Sequence, residues 1–297
     1  MRLSNPVLFL IPSIIWGSTW YAIKFQLGDT DPLYSVGYRF LLAAVILLLY
    51  AKFKGLKLAF SAGNHLYFLI QGICLFGINY WFVYMAEEHL TSGLVAVIFG
   101  GLIFMNVFLG AVFLKAPVAK PVIFGGIIGI TGITLIFKDE LTLFDFSDWN
   151  FIAFLMALGS MTLASTGNIL SAYYQRRQIP VVQSNAYGML YGAILVLLIA
   201  FASGTPISIG TDIAYISSLL YLAIFGSVIA FNTYLNLLGR IGPGKAGYIS
   251  LSMPVIALAF STALEGYRWT WISFTGLIMI LAGMYIALQR KQAVPHK

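Results

Sequence analysis

The chain has 297 residues, 60% of them hydrophobic and 9% charged, with a net charge of +7 and a mean hydropathy of +0.90. A soluble domain carries about 25% charged residues, so this composition excludes a water-facing globule. No basic run on a polar scaffold exists either, which excludes a nucleic-acid partner and leaves the positive charge to be read as membrane topology.

The apolar residues fall into ten runs of roughly 17–22 residues, the length that crosses a ~30 Å hydrocarbon core as a helix. In chain order the predicted spans are 6–26, 32–51, 65–86, 91–114, 118–137, 150–172, 181–202, 214–237, 244–264 and 271–289. Span one carries Trp16, Ser18, Thr19, Trp20 and Lys24. It is long and has no small-x-small cleavage site, so it reads as a crossing rather than a secretory leader. Span two carries Arg39, and span three carries Asn79, Tyr80 and Tyr84 together with Cys74, the single cysteine. One cysteine allows no disulfide or paired-cysteine metal site within the chain. Span five holds Gly125, Gly126, Gly129 and Gly132, a spacing for close helix packing. Span six carries Ser165 and Asn168, span eight Asn232 and Asn236, and span nine Tyr248, Ser252 and Pro254. Pro254 removes a backbone hydrogen bond inside its helix. The loops are too short for a soluble domain, so function has to be built within the spans.

The loop charges set the orientation. With a cytoplasmic N-terminus, the inner segments hold Arg2, Lys52, Lys54, Lys57, Lys115, Lys120, Arg176, Arg177, Arg240, Lys245, Arg290, Lys291 and Lys297, and no acid. The outer segments hold Asp29, Asp31, Glu87, Glu88, Asp139, Glu140, Asp145, Asp148, Asp212 and Glu265, with Lys138 and Arg268 as their only cations. This is the positive-inside pattern, and a miscounted span would scramble it. Both termini are therefore expected in the cytoplasm.

Shifted by about 150 residues, the sequence resembles itself. Phe76-Gly77 approaches Phe225-Gly226, Tyr84 falls on Tyr234, Lys115 on Glu265 and Gly126 on Gly276. The apolar stretch after Arg39 matches the one after Tyr187. The expected fold is an all-α integral membrane protein of ten transmembrane helices, with repeats at 1–140 and 141–297. A unit of five crossings is odd, so the second copy enters from the opposite side. Such inverted-topology repeats recur in carriers that work by alternating access.

The run Trp16-Gly17-Ser18-Thr19-Trp20-Tyr21-Ala22-Ile23-Lys24, the Tyr38-Arg39-Phe40 segment, Leu251-Ser252-Met253-Pro254 and Leu264-Glu265-Gly266 carry a resemblance. Together with the glycine-spaced spans five and ten, they resemble the EamA family of the drug/metabolite transporter superfamily over nearly the whole chain. The first half departs from that pattern. Span four ends Leu114-Lys115-Ala116 where Leu-Gly-Glu is usual, and no proline stands near Phe104. The resemblance implies a secondary transporter of small organic metabolites in a bacterial inner membrane, foremost an exporter of amino acids or related compounds. Import or exchange of another solute, such as a quaternary amine or a nucleotide-sugar-like molecule, remains open, as does a channel.

Lys24 and Arg39 are the charges inside spans. Each either reaches out to the interface or faces the cavity to attract a carboxylate. The full set of candidate substrate-binding residues is Trp16, Ser18, Trp20, Lys24, Arg39, Asn79, Tyr80, Tyr84, Ser165, Asn168, Asn232, Asn236, Tyr248 and Ser252. Amides bind carboxylates or ammonium groups without carrying charge, and aromatic rings enclose apolar groups or cations. No acid is expected deep in a span, which argues against a buried carboxylate as proton carrier, although a proton or another ion stays open as a partner. His65, His89 and His296 lie at span edges or in the tail and form no HExxH pattern, and no phosphate-binding Gly-Lys-Ser/Thr loop is present. Neither enzymatic activity, metal, cofactor nor ATP drive is expected. The expected partners are a small-molecule substrate and membrane lipid, with the chain as a monomer or homodimer.

Overall fold

Apolar runs without water to bond to must satisfy their own backbone, and helices do so within one segment. A computed structural model describes residues 3–288 apart from 29, 91, 143–147 and 265–268. Arg2, Asp29, Asp145, Glu265, Gly266, Arg268, Arg290, Lys291, His296 and Lys297 lie outside the described residues, as do the side chains of Trp20, Glu140 and Asp148. The described residues are helical, with α1 (Asn5–Lys24), α2 (Pro32–Phe53), α3 (Ala62–Leu75), α4 (Ile78–His89), α5 (Ser92–Gly100), α6 (Leu102–Leu114), α7 (Lys120–Ile136) and α8 (Lys138–Thr142). There follow α9 (Asp148–Arg176), α10 (Val181–Ala202), α11 (Ile213–Tyr221), a π-helical stretch (Leu222–Ile229), α12 (Ala230–Ile241), α13 (Pro243–Ala246), α14 (Ile249–Leu264) and α15 (Trp271–Leu288). Among the described residues, eight helices are long and apolar enough to cross a membrane, and α7 adds a shorter apolar helix of 17 residues.

Local chemistry sets several ends. Asp31 accepts from Leu33 N at 2.8 Å ahead of Pro32, and Asp212 accepts from Tyr215 N at 2.9 Å, so two loop acids cap helix N-termini. Arg176 Nη1 donates to the Leu114 carbonyl at 3.0 Å, occupying an orphan acceptor where α6 ends at Lys115 in the left-handed region, φ 51°.

Three predicted spans are irregular in the middle, span four turning at Gly101 between α5 and α6. Span three breaks at Phe76–Gly77, where the Gly72 carbonyl accepts from both Phe76 N (2.9 Å) and Gly77 N (2.8 Å). The break lies against α10: a Cβ on Gly72 would stand 2.4 Å from the Gly188 oxygen, and one on Gly77 would stand 3.1 Å from the Gly192 oxygen. Span eight instead widens into the π-helical stretch, whose Ser227 hydroxyl reaches back to Leu222 O at 2.9 Å.

The neighbours fall into matched sets. Helix α1 packs on α14 and α12, while α9 packs on α6 and α4. Helix α10 packs on α3, while α2 packs on the π-helical stretch. The remaining large contacts are α2 with α10 and α7 with α15. Outward faces stay apolar, with Leu10, Ile14, Phe113, Phe124, Leu198, Ile278 and Tyr285 all exposed. This suits lipid on one side and protein on the other.

Candidate functional site

A cavity of about 100 Å³ opens where the irregular spans meet α1 and α9. Its walls come from Trp16, Thr19 and Ile23 on α1, Asn79, Tyr80 and Val83 on α4, and Ala164 and Asn168 on α9. Phe231 and Tyr234 on α12 and Ser250 and Met253 on α14 line the opposite side. No charged side chain lines it among the described residues. A single water needs only about 10–15 Å³ of such space, so there is room for a small solute.

The π-helical stretch organises one wall. Its Gly226 carbonyl accepts from Trp16 Nε1 at 3.0 Å, which locks α1 to span eight. The Trp16 ring meets Phe231 edge-on at 4.9 Å and Tyr234 at 5.1 Å, and Phe231 meets Phe76 at 4.9 Å. Wide π turns expose carbonyls that a regular helix would hide, and they recur at functional positions.

Of the residues singled out from the sequence, the cavity brings together Trp16, Asn79, Tyr80 and Asn168. Arg39 lies directly behind Tyr80. It is 1% exposed, with its guanidinium 4.5 Å from the Tyr80 ring centre and 5.1 Å from that of Phe40. Its Nε donates to Ser227 Oγ at 3.0 Å and its Nη1 to the buried Tyr84 hydroxyl at 3.5 Å. Ser165 is buried beside Asn168 with its hydroxyl unpartnered.

The others lie elsewhere. Ser18 bonds the Tyr221 hydroxyl at 2.6 Å, and Lys24 is exposed at the end of α1. Asn236 donates to Asn232 O at 2.7 Å. Tyr248 donates to Val122 O at 2.6 Å, and Ser252 to Ser13 Oγ at 2.7 Å, each tying α14 to a neighbouring helix. Asn232 ends a chain of amides: Gln71 Nε2 donates to Asn185 Oδ1, and Asn185 Nδ2 to Asn232 Oδ1, each at 3.3 Å. Interhelical hydrogen bonds of this kind contribute about 0.6 kcal/mol on average, about 1.7 at most. Asn232→Ala is therefore expected to lower the melting temperature by only a few degrees and to leave flux within about twofold of the unaltered chain. Thermal unfolding in detergent and flux in vesicles check this together, and a large loss of flux at unchanged stability would place Asn232 at the site instead.

Some lining residues escaped the sequence reading. Tyr234 stood out there only as the repeat mate of Tyr84. Asn106, 0% exposed and next to the cavity, is the lone amide in the otherwise apolar α6, which is the signal that could have found it. Glu87 reads as a loop acid, yet it lies in the last turn of α4 with Oε1 buried and unpartnered. Tyr80, Tyr84 and Glu87, at i, i+4 and i+7, share one helix face.

An all-helical chain with several membrane-length helices, gathered around an aromatic cavity walled from both ends of the sequence, has the make-up of a multi-pass membrane transporter. The EamA-like transporter family matches the chain twice, at residues 4–138 and 151–289, and the chain belongs to that family. Protein PagO of Salmonella typhimurium is 26% identical over 97% of this chain and 93% of its own length. The uncharacterized inner membrane transporter YedA of Escherichia coli is 27% identical over 96% of this chain and 90% of its own. A protein named "Probable amino-acid metabolite efflux pump", also of Escherichia coli, is 24% identical over 96% of this chain and 95% of its own. A crystal structure shares the fold at a TM-score of 0.80 and 16% identity, covering 97% of each chain.

Proposed function

We propose that the chain is a secondary transporter that moves small organic metabolites by alternating access through the central cavity. The leading direction is export of amino acids or related compounds across a bacterial inner membrane. The cavity carries this reading: it is enclosed by helices from both halves and lined by rings and neutral polar groups. The named activity of the amino-acid metabolite relative supports the substrate class.

Ten crossings in two inverted repeats, 1–140 and 141–297, fit the packing. Exchanging each span for its repeat mate turns the α1 contacts with α14 and α12 into the α9 contacts with α6 and α4. It likewise turns α10 on α3 into α2 on the π-helical stretch. Of the mid-span irregularities, those at Phe76–Gly77 and Leu222–Ile229 are also mates. Discontinuous helices at a repeat interface are the usual place for a carrier's site. The loop charges support a cytoplasmic location for both termini. The chain works as a monomer or homodimer in contact with lipid, and a proton or other ion is a partner only if flux follows its gradient.

Counterflow in proteoliposomes tests the proposal, with labelled amino acids and amines outside and the same unlabelled solute inside. Saturable uptake that requires internal substrate is expected. Trp16→Ala opens the wall and frees the Gly226 carbonyl, and it is expected to slow counterflow at least about tenfold, the equivalent of ~1.4 kcal/mol. Trp16→Phe keeps a ring and is expected to lose less. Uptake that is unsaturable and indifferent to internal substrate would favour a channel.

A further inference from the structure

The hydrogen-bond directions at one end of the cavity are fixed by chemistry. The Pro243 carbonyl can only accept, and Asn106 approaches it at 3.2 Å, so the amide nitrogen of Asn106 must face Pro243. The Asn106 oxygen then faces Asn168 at 3.3 Å, which obliges Asn168 to present its own nitrogen there. What Asn168 has left is its second amide N–H and its carbonyl oxygen, the oxygen buried and without a partner. Neither amide can be turned over without setting two acceptors against each other, so the assignment follows from the Pro243 carbonyl.

A second unpartnered atom lies at the same end. The Tyr234 hydroxyl, on a side chain 4% exposed, interacts with both amides without a fully formed hydrogen bond to either, and it can donate as well as accept. Asn168 is 1% exposed, and both residues line the cavity. Elsewhere in the lining, Trp16, Thr19 and Ser250 each donate to a backbone carbonyl. Buried polar atoms are almost always paired, so an unpaired acceptor, Asn168 Oδ1, beside an unpaired hydroxyl marks a place where a ligand supplies the missing partner. Aromatic faces of Trp16, Phe231 and Tyr234 stand nearby, and such faces attract cations.

Resting on the carrier reading above, we propose that the end of the cavity bounded by Asn106, Asn168 and Tyr234 is the subsite for a substrate ammonium group. The chain then carries solutes that join a primary ammonium to a small apolar body. Asn168 Oδ1 accepts one ammonium N–H and the Tyr234 oxygen accepts another, while the apolar body lies against the rings. A quaternary amine has no N–H to offer these acceptors. A simple carboxylate can accept from the Tyr234 O–H, but it sets negative charge against Asn168 Oδ1 and leaves that acceptor unpaired.

The test uses the full chain and four probes that share one carbon skeleton: isopentylamine, its N,N,N-trimethyl analogue, leucine and 4-methylpentanoate. Binding is read as thermal stabilisation in detergent, and transport as counterflow. Isopentylamine and leucine are expected to bind at least about tenfold more tightly than the trimethyl analogue and the acid, the ratio set by unpaired polar groups in a dry site. Asn168→Ala is expected to erase the preference for the primary over the trimethyl amine. Tyr234→Phe, which keeps the ring and its packing, is expected to reduce that preference. The subsite is overturned if the acid binds as well as the amine, if the preference survives Asn168→Ala, or if none of the four binds. The expected order of binding without counterflow leaves the subsite standing and removes the carrier reading. Counterflow of the acid but not the amine keeps the carrier and removes the subsite.

Discussion

Gly132→Leu and Gly276→Leu are each expected to prevent recovery of a folded, monodisperse protein. A Cβ on Gly132 would stand 2.5 Å from the Gly276 oxygen and 2.9 Å from Ile280 Cγ1, and a Cβ on Gly276 would stand 2.5 Å from the Gly132 oxygen. Further along the same seam, a Cβ on Gly125 would lie 2.3 Å from the Gly283 oxygen, and one on Gly283 would lie 2.4 Å from the Gly125 oxygen. The oxygens are backbone atoms of α7 and α15, which cannot move aside as a side chain can. Between helices in lipid, close contact of this kind supplies the attraction that water supplies to a soluble core. Gly132→Ala alone should cost about 1–3 kcal/mol, and leucine should part the helices. Gly126→Ala is the control: its Cβ would meet the Phe104 ring at 3.1 Å, and that side chain can shift. Size-exclusion profiles and melting temperatures after extraction decide the matter. A Gly132→Leu protein with unaltered melting would show that the seam is not where the structure places it.

Arg39→Lys is expected to slow transport at least tenfold, about 1.4 kcal/mol, despite keeping the charge. Arg39 holds three elements at once: Nε bonds Ser227 of the π-helical stretch, Nη1 bonds Tyr84 of α4, and the flat guanidinium lies over Tyr80 and Phe40. A lysine offers one compact ammonium and cannot do all of this from a single position. Tyr80 forms part of the cavity wall, so its loss of support should reach the substrate. Arg39→Ala additionally leaves a buried gap and withdraws the donor to the Ser227 and Tyr84 oxygens, and should lower stability by about 2–3 kcal/mol. Counterflow rates compared with melting temperatures separate the two effects. Arg39→Lys with full activity would reduce the residue to a charge.

Much of the helix layout was legible because prolines and loop charges punctuate apolar runs. The predicted 181–202 and 32–51 correspond to Val181–Ala202 and Pro32–Phe53, each opened by a proline at or just before its first residue. The break at Phe76–Gly77 and the π-helical stretch were not legible. Phe76–Gly77 depends on the approach of Gly192, a neighbour more than a hundred residues away. Leu222–Ile229 contains ordinary helix-forming residues, and its wide turns show only in space. The same limit applied to the site. In a lipid-facing chain both sides of a helix are apolar, so no stripe distinguishes the face that meets protein. Hence Asn168 and Asn232 read alike in sequence, while one faces the cavity and the other bonds Asn185. The glycine spacing of span five was informative because small residues have few other uses at that density.

Among the described residues no charged side chain lines the cavity, and this bears on energetics across the bilayer. A neutral chamber wall adds no charge to that of the cargo it encloses, so the loaded chamber responds to the membrane potential through the cargo's charge. A zwitterion would cross indifferent to voltage. A monovalent amine would feel about 2.3 kcal/mol per 100 mV, about a fiftyfold concentration ratio at equilibrium, directed toward the negative side. The same binding chamber would then let a voltage-blind solute leave a cell down its own gradient and draw a charged one inward.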